Sequence, residues 1–546
     1  MPQKIIKDSV HGYISLDSLF AHIIDSAEFQ RLKSIEQGSF RVLYPAARHD
    51  RFIHSLGTYH LAKLFAKNFI SNIKDDLRIY IDDKIQNKIL TTFYYAALLH
   101  DIGHAPFSHT TEKFFKKKMT TNNDIVINEQ LINAVSKVID KNKLNSFKKE
   151  FTDCAPSPHE IMSATILLEK SDEFLESNKD SIDLELAARM VIGCTFDYNN
   201  YKLETDDEKN ICGIKNCFIR LLNSTTVDVD KMDYITRDTR MSGFHNVPID
   251  IERLAKSVTA IRLEDGWLFP AFKKNAMSVI DNVFRAKVEQ SLWMVSHPVV
   301  LYDSELLSYC INSLNSYIDK NYIGNVFSLE ALGKDGITIN DDKKYRLLND
   351  IDINSDLRSF YDKSELIREL YERQSRRRPV WKSYYEYKYL FSVDKENIKM
   401  EEKVFIYFKG LIDYMKNSEC FVLNEEKYIE ISHDSNVSKN AKDAARFLKD
   451  FSKEENIPFD FALLLSSNSF SPKINPKLIF VSFGSLPKRN DYNYVTYEFL
   501  KGSSSGEDKR RLFYLYSKKK FSPDLINNFK NKLIENLNQQ KKIPRV

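Results

Sequence analysis

Apolar residues recur at three- and four-residue intervals through most of the first ~300 positions, which commits that part of the chain to helices. The runs HSLGTYHLAKLFAKNFI (54–70), KILTTFYYAALLHD (88–101) and SVIDNVFRAKVEQSLWMV (278–295) show it most clearly. Breakers are scarce, with 15 glycines and 15 prolines among 546 residues. That length is too great for one ordinary core and predicts two or three units. With 42% hydrophobic residues, 36 Phe and 28 Tyr, the chain can fill a large interior. Beyond residue 380 the texture changes to short β-like runs, FALLLSS (461–467), KLIFVSFG (477–484) and RLFYLYSKK (511–519). The composition of KGSSSGEDKR (501–510) predicts a flexible loop, and SPDLINNFKNKLIENL (522–537) an amphipathic closing helix. The fold class that follows is mainly α, with a helical core over 1–300, a helical extension over 301–385 and a smaller C-terminal α+β region over 386–546. Within the core, EKFFKKKMTTNNDIVINEQ (112–130) and the lysines running on to Lys149 predict a polar insertion, 113–150, that is mostly a solvated surface excursion.

Charge and cysteine usage narrow the class. The 80 basic and 76 acidic residues are too evenly balanced to predict nucleic-acid binding, although local basic clusters can still hold phosphates. No run approaches the roughly 20 apolar residues that span a bilayer, and MPQKIIKDSVHG opens without an apolar signal region. A cytoplasmic protein with no membrane partner is expected. Six scattered cysteines form no CxxC pair, which points to reduced thiols rather than a disulfide frame or zinc ribbon.

The chemistry lies in the histidines. His54, His100, His104, His109 and His159 fall in RFIHSLG, LLHDIGHAPFSHTTE and SPHEIMS, and VDVDKMDYITRD (227–238) adds carboxylates beside a lysine. A lone histidine at a helix end is more often a satisfied core residue than a ligand. An adjacent His-Asp pair ending an apolar helix, with a further His and Asp in helical contexts, points instead to a metal. Divalent ions suit carboxylate and imidazole ligands, and His54, His100, Asp101 and Asp230 would leave two positions open for water and phosphate oxygens. Mg2+ or Mn2+ is the expected ion, with iron and zinc as alternatives; it would acidify water into a nucleophile near neutral pH. Gly103 and Pro106 break the helix after Asp101, so that His104 and His109 turn back toward the same cavity. A departing oxygen needs a proton; His109, with Glu112 three residues on, is one candidate acid and His159 the other. Arg51, Lys231 and Lys287 can neutralise phosphate charge.

Together RFxHSLG, HDxGHxPFSH and DxDKxDYxxRD resemble the HD-domain deoxynucleoside triphosphate (dNTP) triphosphohydrolases. The likeness is to the branch containing the vertebrate sterile-alpha-motif and HD-domain restriction factor. It runs from KIIKDSVHG at residue 4 to the final helix, more weakly after 380, and leaves no N-terminal sterile-alpha-motif domain to expect. The resemblance implies an HD-domain helical core that hydrolyses dNTPs to a deoxynucleoside and inorganic triphosphate. It implies that His54, His100, Asp101 and Asp230 bind the metal and that His104, His109, Glu112 and His159 lie at the reacting phosphate. It further implies that Arg51, Lys231, Tyr234 and Asp238 hold the triphosphate and sugar, with Gln37 near the sugar.

Some positions depart from the family pattern. Glu112 stands where the family usually has Asp. Val295 and Ser296 precede His297, a further substrate candidate, where Tyr and Gln are common. In the resembling branch, nucleotides at subunit interfaces promote an active oligomer. A dNTP or NTP effector is therefore expected at Lys4, Asp25, Gln30, Lys33, Lys273, Arg378 and Lys382, with a homodimer or tetramer as the assembly. Lys33 replaces an arginine there, and Asn275 and Pro298 stand where lysines are common. Depletion of dNTPs in antiviral, anti-phage defence is the role such an activity would serve. Two other readings compete: an HD phosphohydrolase for another nucleotide, which the absence of a GYP signature opposes, and a nucleotide-sensing regulator with a lapsed site, which the intact metal and acid positions oppose.

Overall fold

The computed structural model describes residues 4–116, 123–201, 203–244, 247–339, 343–392, 400–466, 474–484, 493–501 and 512–540. It is mainly helical with a few small sheets, as the apolar spacing predicts. Among the described residues no helix is long and apolar enough to cross a membrane. The chain divides into two compact units: Met1–Gln290 with Asn315–Ser355 and Pro472–Gly506, and Ser291–Leu314 with Asp356–Ser471 and Glu507–Val546. These units cut across the consecutive stretches 1–300, 301–385 and 386–546, because part of the C-terminal region pairs with the helical core's own sheet.

In the first unit a hairpin of β1 (Lys4–Asp8) and β2 (Gly12–Leu16) precedes the helices. The helices that matter for the site are α1 (Arg51–Leu77), α2 (Asp83–Leu99), α3 (Pro158–Glu169), α4 (Leu184–Ile192), α5 (Asp206–Leu222) and α6 (Val229–Ser242). Their starts follow local side-chain chemistry. Asp50 caps α1 by accepting from Ile53 N at 3.0 Å, and Asp228 caps α6 by accepting from Lys231 N at 2.8 Å. Pro158 opens α3 with its φ preset for the first turn, and Glu160 closes a capping box on Ser157 N at 2.6 Å. Gly243 ends α6 at φ 69°, a left-handed conformation that glycine takes without a Cβ penalty. The sheet of this unit pairs Val258–Arg262 antiparallel with Leu268–Lys273, which runs parallel to Phe480–Ser482; Tyr494–Thr496 forms the edge.

The insertion 113–150 departs from its expectation. Asn123–Ser136 and Lys141–Thr152 are helices, and Ile127, Leu131, Val135, Phe147 and Phe151 are buried. In KNKLNSFKKEFT, Leu144, Phe147 and Phe151 form a stripe at helical spacing, while the lysines occupy the other face. A solvated excursion is therefore wrong for this stretch: the lysine count masks an amphipathic helix. Its Glu150 reaches the buried Arg189 of α4 at 2.7 Å. The loop expected over 501–510 falls almost wholly outside the described residues.

In the second unit Phe513–Ser517 pairs antiparallel with Phe461–Leu465 on one side and Arg378–Pro379 on the other, and Pro523–Gln540 is the closing helix. Trp381 is fully buried there and donates its indole N–H to Phe513 O at 2.7 Å.

Gly103 shows how tightly the first unit is built. A Cβ at this position would stand 2.3 Å from Ser163 N and 2.6 Å from Met162 C, both backbone atoms of α3. The glycine N–H also donates to Ser163 Oγ at 2.8 Å. Gly103→Ala should lower stability by about 1–3 kcal/mol or more, since a backbone neighbour cannot swing away. Chemical denaturation of the two proteins measures it.

Candidate metal and acid–base centre

Helix ends bring the candidate ligands together in the first unit. His54 lies in the first turn of α1 and Asp230 in the first turn of α6; His100 caps the C-terminus of α2 and Asp101 follows it. His54 Nε2 lies 2.9 Å from Asp230 Oδ1, 3.3 Å from His100 Nε2 and 3.5 Å from Asp101 Oδ2. His100 Nε2 lies 3.4 Å from Asp230 Oδ1 and 3.5 Å from Asp101 Oδ1. His54, His100 and Asp230 each offer a ligand atom within 4.8 Å of the others.

The tautomers show that this donor set fits a cation. His54 Nδ1 is 2.7 Å from Asp233 Oδ2, and His100 Nδ1 is 2.9 Å from Ala97 O. An ionised carboxylate and a carbonyl only accept, so both Nδ1 atoms carry the proton and each neutral ring turns a bare Nε2 lone pair inward. Two such lone pairs facing each other beside two carboxylates repel unless positive charge stands between them. With protons as the only positive charge, Asp230 and Asp233 push His54 up to about 10 against the opposing effect of burial. Asp101 and Asp230 likewise raise His100 against burial. A divalent ion meets the same demand with one charge centre, and the Asp233–His54 contact is the carboxylate–histidine support that metal-bound imidazoles use.

A second cluster adjoins the first. Glu112 accepts from His109 Nδ1 at 2.9 Å and from His159 Nδ1 at 2.8 Å. His159 lies in the first turn of α3, and its ring stacks on His104 with centroids 4.1 Å apart at 15°. His104, fully buried, points Nε2 to within 3.1 Å of Asp101 Oδ1, without hydrogen-bond alignment, so Asp101 touches both clusters. His104, His109 and His159 also offer ligand atoms within 4.8 Å of one another. Stacked rings hold their in-plane lone pairs side by side, a poor geometry for a shared ion, and Glu112 already occupies two of the Nδ1 atoms. Despite its burial Glu112 is held well below the usual carboxylate range by His109 and His159. Burial and the Arg51 charge push His104 down, while Glu112 raises His159 against burial. His109 is the exposed member, with 63% of its side chain open to solvent.

The remaining expected site residues divide by location. Arg51 is buried and donates to Asp101 Oδ2 at 2.7 Å, Ser108 Oγ at 3.0 Å and Gln37 O at 3.0 Å. Gln37 is buried, with Oε1 lacking a partner. Lys231 Nζ donates to Ser224 O at 2.7 Å and to Asp228 Oδ2. Lys287 Nζ sits 4.4 Å over the Tyr234 ring, and Asp238 accepts from His49 Nε2 and Gln290 Nε2, each at 2.8 Å. Lys4 pairs with Asp25, and Lys33 donates to Gln30 Oε1 at 2.7 Å. Lys273 donates to Asn72 Oδ1 at 2.8 Å and lies 3.2 Å from Asp76. His297, Arg378 and Lys382 belong to the second unit. There, His297 Nδ1 accepts from Val299 N at 3.2 Å, Arg378 lies in a strand and Lys382 is exposed.

Sequence reasoning gave no role to the residues behind the ligands. Asp233, fully buried, accepts from His54, from His11 Nε2 at 2.6 Å and from Arg237 at 2.7 and 2.9 Å; Arg237 also donates to Asp8 at 2.8 Å. All of these stand inside KIIKDSVHG and DxDKxDYxxRD, so the signal was present as motif letters. Gly57 of HSLG has the same cause, since a Cβ there would come within 1.9 Å of Asp233 Oδ1.

Residues 51–143 match the HD domain family model. The chain is 44% identical to an uncharacterized protein of Methanocaldococcus jannaschii over 110 residues, 20% of this chain and 21% of that protein. It is 29% identical to the Xenopus laevis deoxynucleoside triphosphate triphosphohydrolase SAMHD1 over 259 residues, 46% of this chain and 36% of that protein. It is 24% identical to an uncharacterized protein of Bacillus subtilis over 323 residues, 59% of this chain and 58% of that protein. The chain thus spans about a fifth to three fifths of the length of these relatives.

Asp233→Asn should weaken divalent-ion affinity about 10–100-fold, the usual effect of removing the support behind a ligating histidine. Titration against a metal-competing dye measures it, and affinity equal to that of the unaltered chain would remove Asp233 from this role.

Proposed function

Since the chain carries an HD domain and resembles the HD-domain dNTP triphosphohydrolases, we propose that it is a metal-dependent phosphohydrolase cleaving dNTPs to a deoxynucleoside and inorganic triphosphate. One observation carries the reading: the His54–His100–Asp230 donor group lies against Asp101, which also reaches the neighbouring Glu112–imidazole cluster through His104. Release of intact triphosphate breaks the bond between the α-phosphorus and the 5′-oxygen, so charge develops on a poor leaving group. A bound ion would polarise the phosphoryl group and acidify the attacking water. Two imidazoles beside two carboxylates suit manganese, iron or zinc; magnesium prefers an all-oxygen shell.

The chain's own groups supply the proton. Glu112 fixes Nδ1–H on His109 and His159, so that Nε2 is the atom of each ring left to carry a transferable proton. His109, open to solvent, gives its proton to the 5′-oxygen, and His159 with its raised affinity is the reserve. Arg51, Lys231 and Lys287 offset phosphate charge, while Gln37, Tyr234 and Asp238 hold the sugar. Nucleotide control belongs to the same reading. The Lys4–Asp25 and Lys33–Gln30 pairs offer a base edge and phosphate partners once opened by an effector that favours an assembled state.

Chromatography of each dNTP and NTP, incubated with Mn2+, Mg2+, Fe2+ or Zn2+, should show a deoxynucleoside and intact triphosphate from at least one dNTP. Products limited to pyrophosphate or monophosphate sink the reading. Asp101→Ala and Asp230→Ala should abolish turnover in a folded protein, whereas His109→Ala should keep its metal and lose about 10²–10⁴-fold in kcat. A pH profile tests Glu112 separately. Its charge favours the protonated imidazoles, so Glu112→Gln lowers their proton affinity and should move the alkaline limb of kcat toward lower pH. An unmoved limb would assign the acid to another group.

A further inference from the structure

The turn that carries His109 is held in a conformation its own residues disfavour. Phe107 and Ser108 have φ of 58° and 51°, two consecutive left-handed values without a glycine. Such strain persists only where the surroundings over-determine it. Here the surroundings include a residue more than 240 positions away in sequence. Asp350 Oδ1 accepts Phe107 N–H at 2.6 Å, and Asp350 Oδ2 accepts Glu36 N–H at 2.9 Å. The two loops so joined are also stitched directly. Ser108 Oγ donates to Glu36 O and accepts from Arg51 Nε at 3.0 Å, while Arg51 Nη2 donates to Gln37 O. Arg31, buried beside Asp350, supports the same turn through the carbonyls of Ile102 at 2.6 Å and His104 at 3.0 Å, and holds Leu348 O at 2.8 Å.

We propose that Asp350 is a positioning residue for the acid–base centre: its carboxylate clamps the Phe107–Ser108 turn to the Glu36–Gln37 loop and thereby aims His109 at the reacting phosphate. For turnover the inference rests on the phosphohydrolase reading above; the clamp itself does not. The charge is costly where it stands. Asp350 is 6% exposed, and burial, reinforced by Glu36, pushes it up to about 7 against two N–H donors and Arg31. A raised carboxyl stabilises the fold only while protonated, so stability from this group is lost as pH rises through 7. Stability alone therefore gives no reason for an ionised group here. Two separate acceptors do: a carboxylate satisfies both N–H groups at once, whereas an asparagine turns its own N–H2 toward one of them.

The test is Asp350→Asn in the full chain, read four ways at pH 8: thermal midpoint, metal content, the ring 15N resonances of His109 and dNTP kinetics. Loss of the resonance in His109→Gln assigns it. A midpoint unchanged or raised, unchanged metal, a moved His109 Nδ1 resonance and kcat down about 10–100-fold at near-constant KM are expected, the range for a misplaced catalytic group. Adding Phe107→Gly, which takes positive φ freely, should restore part of the lost kcat. An unmoved resonance or unchanged kcat overturns the inference, as does a lowered midpoint with normal kcat per folded molecule. Should Asp350→Asn not fold, Asp350→Glu, which keeps the charge but shifts it by one methylene, is read by the same resonance. If the unaltered chain releases no triphosphate from any dNTP, the activity reading fails, and the resonance still decides the clamp.

Discussion

The buried Asp233 carboxylate is the interaction on which the rest of the centre depends. It carries charge at zero exposure, which is tolerable only because His11, His54 and Arg237 surround it and Asp8 balances Arg237 from the other side. Removing one partner of such a pair typically costs about 3–5 kcal/mol, far more than the pair's net contribution, so the network specifies geometry more than it adds stability. Three chain segments are thereby locked together: the hairpin end at Asp8–His11, the first turns of α1 and the middle of α6. Gly57 is small because the carboxylate and guanidinium lie against its backbone. The orientation of the His54 ring is thus decided by groups that lie outside the candidate donor set.

From that anchor the centre grows by shared carboxylates. Asp101 faces His54 and His100 on one side, His104 on another, and takes Arg51 at 2.7 Å on a third. Burial alone would raise it, but Arg51, His100 and His104 hold it well below the usual range. Arg51 therefore does structural service in this state, with its donors on Asp101, Ser108 and Gln37. A phosphate reaching it would compete with bonds already formed, and the same guanidinium would then link substrate to metal ligand and to the strained turn.

How much of this was legible follows the range of the interactions. HDxGHxPFSH places its ligands within one helix end and one turn, so local rules reach them: an apolar helix ends, glycine and proline break it, and the polar groups converge. His54, Asp230 and His159 were legible as motif letters, and the structure brings them together as first-turn residues of α1, α6 and α3. Asp8, His11 and Asp233 were visible as letters but carried no assigned chemistry, because a second partner behind a ligand leaves no spacing signature. Asp350 had none at all: its contacts with Glu36 and Phe107 span 314 and 243 positions. The pairing of Leu268–Lys273 with Phe480–Ser482 is hidden for the same reason, and it is what brings a C-terminal segment into the first unit. The insertion failed differently, since lysine abundance outweighed a short apolar stripe that periodicity could have found.

Three histidines of one residue type occupy a few ångströms here, and their surroundings make them unequal. His104 is sealed from solvent, lies under the Arg51 charge and stacks on His159; these effects push its proton affinity down against the opposing Asp101 carboxylate. His159 shares Glu112 and gains proton affinity despite burial. His109 takes the other oxygen of the same carboxylate but keeps its ring open to solvent. Proton affinity among the three is therefore raised at His159, whereas burial, Arg51 and His159 push His109 down against Glu112. His104, with its lowered proton affinity, stands between Asp101 on one side and His159 on the other. Glutamate rather than aspartate at position 112 fits this geometry, since one side chain must span both rings.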